Sequence, residues 1–258
     1  MTKNSPTPQN MAPPRVECRC SGDPREMGLT QGAELRAKIL GAHQSLRDLE
    51  ALRLEQPWWL PYPFFLKLAE RKAEKFLVPS LRQSNPAMLA RMQGIAEGTG
   101  LPLRSLCLMN TVEAFIGSVA GRTAVPPLSA CSALAVRGTR SRTGEPIIAR
   151  NFDYPMLVQP FFMLRESRPR DGFCSLDFAL APQAGTVDGV NEKGLAIMIN
   201  YAFVTAPVTP NPLVTMLIAD ALASCATVTE AGQSLESLDG TGDAARLTRD
   251  YRYPRKLS

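Results

Sequence analysis

Apolar residues recur at three- and four-residue spacing along the first half of this chain, and from Cys131 onward they alternate. That change of period, at the break from Gly121 to Pro127, demands a helical half followed by a sheet. A short extended piece from Val16 to Cys20 comes first, and Ser21-Gly22-Asp23-Pro24 is a turn that opens the helical region. Leu35, Ile39, Ala42, Leu46, Leu49 and Arg53 then set out one amphipathic helix of about five turns. Leu68 to Leu77 forms a second, Pro86 to Ala96 a third that closes at Gly98-Thr99-Gly100, and Leu103 to Phe115 a fourth. On the fourth, Asn110 and Glu113 share a face and are expected to satisfy buried backbone groups. Between the first two helices the connector Pro57-Trp58-Trp59-Leu60-Pro61-Tyr62-Pro63-Phe64-Phe65 is expected to pack, with an apolar lid or partner surface as the alternative.

The second half reads as strands at Cys131 to Arg137 and Pro146 to Asp153, joined by the polar turn Gly138 to Gly144. Further strands are expected at Phe161 to Glu166, Ser175 to Ala179, Thr186 to Val190 and Leu195 to Tyr201. Two helices follow, Leu213 to Cys225 and one opened by Thr227-Val228-Thr229-Glu230, which has capping-box spacing. The organisation expected is a disordered tail over 1–15, a mainly helical segment over 16–130, a sheet-rich catalytic part over 131–231 and an atypical tail over 232–258.

With 258 residues and 45% apolar composition the chain can bury a real core. Residues 1–130 carry 16 Lys and Arg against 11 Asp and Glu, and the remainder carry 13 against 13. So mild a bias, with no dense basic run, predicts no nucleic-acid face. The only close cysteine pair is Cys18-x-Cys20 with no histidine near it, so neither a metal site nor a disulfide framework is expected. No signal segment or membrane span is legible, which points to free thiols, a cytoplasmic setting and no membrane contact.

The chemistry sits at Ala130-Cys131-Ser132 and Arg150-Asn151-Phe152-Asp153. A cut before Cys131 would free a residue that carries both a thiol and an α-amine, and the amine can serve as base for its own sulfur. The sole histidine, His43, lies far off in sequence, which leaves a papain-like pairing with Cys131 as the weaker reading. A hairpin turning about Ser141 sets Cys131 opposite Asn151. Asn151 and Asp153 then share a face that Arg150 does not, so a bulge or the strand end must re-aim one of them. Asp153 can hold the amine, Arg150 places positive charge near the sulfur and can orient a substrate carbonyl, and Asn200 can donate to an oxyanion.

Together with Gly189-Val190-Asn191-Glu192-Lys193-Gly194-Leu195, these motifs resemble the N-terminal-nucleophile hydrolases related to acyl-coenzyme A:6-aminopenicillanic acid acyltransferase. More distantly they resemble choloylglycine hydrolase and penicillin V acylase. The resemblance implies an α+β fold, specifically a four-layer αββα sandwich behind a helical pro-segment. It also implies autoproteolysis between Ala130 and Cys131 and a Cys131 acyl-enzyme formed from a linear N-acyl amide. Cys131 would be nucleophile and base, with Arg150 and Asp153 near the amine, and Asn200 or its neighbour Tyr201 at the oxyanion. No metal or organic cofactor is implied; an acyl-coenzyme A donor is the one further partner. Members of this family continue with more strands and helices, whereas here the apolar pattern fails after Glu230, Gly232 interrupts the last helix, and the end is Arg-rich. The expectation is a C-terminally incomplete domain whose uncovered sheet invites association, or in the extreme an inactive fragment that acts as a binding module.

Overall fold

Strand β1 (Cys18–Gly22) passes directly into helix α1 (Pro24–Glu34) through a reciprocal cap. The Asp23 carboxylate accepts from the Glu26 amide at 2.9 Å, and Glu26 Oε2 accepts from the Asp23 amide at 2.8 Å. Gly22 makes the turn possible at φ +109, where a Cβ would stand 2.3 Å from that same Glu26 oxygen. The structure is a computed structural model that describes residues 15–120, 131–154, 156–200 and 213–237. Residues 1–14 and 238–258 of the expected terminal tails, Tyr201 and the break before Cys131 lie outside the described residues, as does the side chain of Glu113.

The single helix expected through Arg53 is instead α2 (Arg36–Ser45), a 3-10 turn (Leu46–Asp48) and α3 (Glu50–Leu54). Leu46, Leu49 and Leu52 explain the break. Spaced by three, they fall on one line at the tighter pitch, and all three are buried. Helices α4 (Tyr62–Ser84), α5 (Pro86–Thr99) and α6 (Leu103–Ala120) follow the expected periodicity. Asn110 has the structural role expected, since it donates to Leu106 O and Pro182 O at 2.9 Å and accepts from the Ala184 amide at 3.1 Å.

Helices α1 and α5 meet backbone to backbone. A Cβ on Gly28 would lie 2.1 Å from Arg91 O, and one on Gly94 2.2 Å from Arg25 O; Gly32 and Gly98 are similarly confined. Gly94→Ala is therefore expected to destabilise by about 1–3 kcal/mol, because neither backbone can yield. The same exchange at Gly232, where an added Cβ would meet nothing within 4 Å among the described residues, should stabilise by about 0.5–1 kcal/mol through helix propensity. Urea midpoints that move the same way in both variants would contradict this account.

Five strands form one sheet in the order β1-β4-β5-β6-β7: β4 (Phe162–Pro169), β5 (Ser175–Leu180), β6 (Asp188–Asn191) and β7 (Ala196–Met198) beside β1. Only β1 with β4 is parallel. One face of this mixed sheet is covered by α1, with α5 behind it, and by α7 (Val214–Ser224). Into that face point Met163, Arg165 and Ser167 of β4. Arg165 is fully buried; it donates to Asp177 Oδ2 at 3.2 Å, Gln31 Oε1 at 2.9 Å and Gly185 O at 3.0 Å, which joins α1 to the sheet. Gly232 does not interrupt α8 (Val228–Ser237). The Thr227–Glu230 cap and the packing of Ala231 with Leu195 and Cys225 outweigh its weak helix preference.

Where α5 meets α7, Asn85 donates to Asp220, whose carboxyl is pushed up to about 6 by burial, against the pull of Asn85 and Arg91. A raised carboxyl favours folding when protonated, so this contribution is present below about pH 4 and is lost as pH rises through about 6. Asp220→Asn, which can keep the Asn85 contact, should match the wild type at pH 4 and exceed it by about 3 kcal/mol above pH 6. Denaturant titrations at the two pH values read the difference.

Candidate active site

The other face of the sheet receives the hairpin of β2 (Cys131–Val136) and β3 (Ile147–Phe152). Aromatic rings dock it there. Phe152 meets Phe162 edge-on at 5.4 Å and Phe178 at 6.4 Å, Tyr154 meets Phe162 at 5.8 Å, and Phe162 stacks on Phe178 at 4.8 Å. The described layers are thus helices, the five-stranded sheet and the hairpin, an α+β arrangement.

Cys131 pairs with Phe152, not with Asn151. The strands are separated by the even-numbered loop 137–146, so the turn centres between Ser141 and Arg142 and the register shifts by one residue. A slip of one exchanges the faces. Directly opposite residues share a side, so Cys131, Phe152, Ala133 and Arg150 all look toward the sheet, and no bulge is needed to bring Arg150 to the sulfur. Arg150 Nη2 donates to Cys131 Sγ at 3.3 Å. The flat guanidinium lies 4.2 Å above the Phe152 ring.

Asp188 completes the arrangement. It heads β6, pairs across to Phe178, and accepts from Arg150 Nη1. The same oxygen accepts from the Ile199 amide at 3.2 Å. Arg150 is 2% and Asp188 15% exposed at the side chain, so this ion pair is shielded from water. Burial pushes the Asp188 carboxyl above its ordinary value, against the pull of Arg150 and the Ile199 amide. Asp188 is not among the residues expected at the site; it stands inside the strand expected from Thr186 to Val190, where an acid between Val187 and Gly189 is the available signal.

Of the other expected site residues, Asp153 is exposed on the outer face, where Asn151 Nδ2 donates to it at 3.4 Å. It follows Phe152 past the end of the ladder, on the amino side of Cys131, and its carboxylate is not among the described partners of the sulfur. Asn200 stands two residues beyond β7, next to the residue whose amide holds Asp188. Its Oδ1 is buried and has no hydrogen-bond partner among the described residues, as is also true of Arg150 Nε. His43 is engaged elsewhere, with Glu70 Oε1 at 3.0 Å, and Ser105 donates to the same oxygen at 2.6 Å. The described structure gives it no contact with Cys131. All six cysteines are free.

This arrangement sets a half-buried thiol against a clamped cation. It can receive an acyl group on sulfur and orient a polar substrate atom. No curated protein matches the chain. Residues 140–248 match the family model described as acyl-coenzyme A:6-aminopenicillanic acid acyl-transferase, and that span begins after Cys131 but holds Arg150, Asp153, Asp188 and Asn200. The resemblance read from the sequence is thus matched by a family model over that stretch, and the similarity it records is to an acyl-transfer family.

Proposed function

We propose that the chain is an autoprocessing cysteine amidohydrolase or acyltransferase of the N-terminal-nucleophile type, acting on a linear N-acyl amide. The observation that carries this reading is the contact of Arg150 with Cys131 Sγ, fixed from behind by Asp188. After a cut before Cys131, the new α-amine takes the thiol proton and the sulfur attacks the amide carbonyl. The tetrahedral adduct collapses with transfer of that proton to the departing amine, which leaves a thioester; water or a second amine then releases the acyl group. Arg150 steadies negative charge next to the sulfur. Asp153, on the amino side of Cys131, holds the ammonium, and Asn200 donates its amide NH2 to the oxyanion. An acyl-coenzyme A can supply the acyl group in place of an amide. The fold that belongs to this reading is a four-layer αββα sandwich, and the hairpin laid on the sheet supports it as the start of a second β layer.

Intact-mass measurement on purified protein should show two fragments divided before Cys131, together with turnover of N-acyl amides. His43→Ala should leave turnover within about twofold, since the amine and not imidazole is the base. A chain that stays whole and inert in every condition would defeat the proposal.

One observation favours the second reading, a binding module. Leu134 and Ile147, on the outward side of the hairpin, are 62% and 48% exposed, an apolar outer surface on a two-stranded ribbon. A folded, uncut, oligomeric protein in size-exclusion measurements would support it.

A further inference from the structure

Away from the site, large apolar side chains stand out of the protein in the connector before α4 and on its first turns. Trp58 is 95%, Trp59 66%, Phe64 61% and Leu68 57% exposed. The packing expected for the two tryptophans is not what the chain does. A turn closed by the Leu60 amide on Pro57 O at 3.0 Å, and by Gln56 Nε2 on Leu60 O at 2.8 Å, holds them outward while Tyr62, Phe65 and Leu66 pack against the core. Beside and beyond Leu68 the same solvent face of α4 carries Lys67, Arg71, Lys72 and Lys75, all exposed. The acids of α4 stand off this face: Glu70 is buried against His43 and Ser105, and Glu74 is half-buried. Its apolar inner face, Ala73, Leu77 and Leu81, is already used by the core.

We propose that this surface seats the protein on an anionic phospholipid bilayer. Indole rings with exposed aliphatic neighbours favour the boundary between headgroups and acyl chains, and a row of cations without exposed carboxylates complements lipid phosphate and carboxylate groups. Bases of a nucleic acid would stack on the tryptophans but gain little from Leu68. Another protein would need its own acidic, concave surface to match so strongly projecting a tip. Seating of this kind needs no spanning helix, and no described helix is long and apolar enough to cross a membrane. It reverses the expectation of no membrane contact drawn from the sequence.

Trp58 and Trp59 are the two tryptophans of the chain, so indole emission reports this surface alone. Adding vesicles of phosphatidylserine in phosphatidylcholine to the full chain should shift emission to the blue and protect it from iodide; pure phosphatidylcholine vesicles should do neither. In flotation, Lys72→Ala with Lys75→Ala should weaken binding about twentyfold. Trp58→Ser with Trp59→Ser should weaken it at least about tenfold, with unchanged circular dichroism. An unshifted spectrum from folded protein overturns the proposal. So does a blue shift that grows with protein concentration in the absence of vesicles, which marks a second copy, or tighter binding of a single-stranded oligonucleotide than of anionic vesicles.

Discussion

Replacing Cys131 by alanine is expected to lower turnover of an N-acyl amide by at least about a thousandfold and to leave the polypeptide whole. The sulfur is the atom Arg150 reaches, and the α-amine that would serve it belongs to the same residue, so one substitution removes the nucleophile from both self-cleavage and turnover. Cys107 supplies the control. It is fully buried in α6, and burial pushes its thiol up to about 12, so it is a packing residue at neutral pH. Cys107→Ala should therefore retain turnover and processing, whatever it does to stability. Intact mass and steady-state rates on the two variants decide the matter; a Cys131→Ala protein that still divides or still turns over would exclude the sulfur as nucleophile.

Asp188→Ala is expected to cost about 3–5 kcal/mol in stability, the range for a buried ion pair that loses one partner. The loss has a specific geometry. Arg150, almost fully buried, would be left facing the sheet without its counter-charge, and the Ile199 amide would lose its acceptor. Since Arg150 and the aromatic rings are what dock the hairpin, amide exchange should accelerate in β3 well before it does in α1 or α5. A double-mutant cycle separates the pair from its surroundings: Arg150→Met with Asp188→Leu should be less destabilising than Asp188→Ala alone, because no buried charge is then unpaired. Additive effects would show that the two side chains do not depend on each other.

How far the site could be read from the sequence follows from how local each contact is. Arg150 and Cys131 lie on two strands of one hairpin, so hairpin pairing alone brings them near, and the motif pointed to both. The register was harder, because the parity of a ten-residue loop decides it and no residue in Gly138 to Gly144 announces where the turn centres. Asp188 is contributed by another sheet, and its partnership with Arg150 depends on how the hairpin lies over β5 and β6, which no period encodes. The helices show the same division. Asp23 with Glu26 and Asn85 before Pro86 mark helix starts through neighbours in sequence. The face-to-face glycines of α1 and α5 read as ordinary small residues until the two helices are seen crossing. Trp58 and Trp59 illustrate a limit of burial rules, since a four-residue turn outside the core is enough to keep two indoles in water.

Strand β1 has one more consequence. Its ladder beside β4 is extended at both ends, by the Glu17 amide on Leu164 O at 2.8 Å and the Arg170 amide on Gly22 O at 2.9 Å, and Arg165 ties the following helix to the same strand. A cut before Cys131 would thus not release the helical half. It would convert one polypeptide into two subunits that share a sheet and a core, parting only when both unfold. Their reassembly after dilution from denaturant would then depend on protein concentration, although the uncut chain folds independently of it.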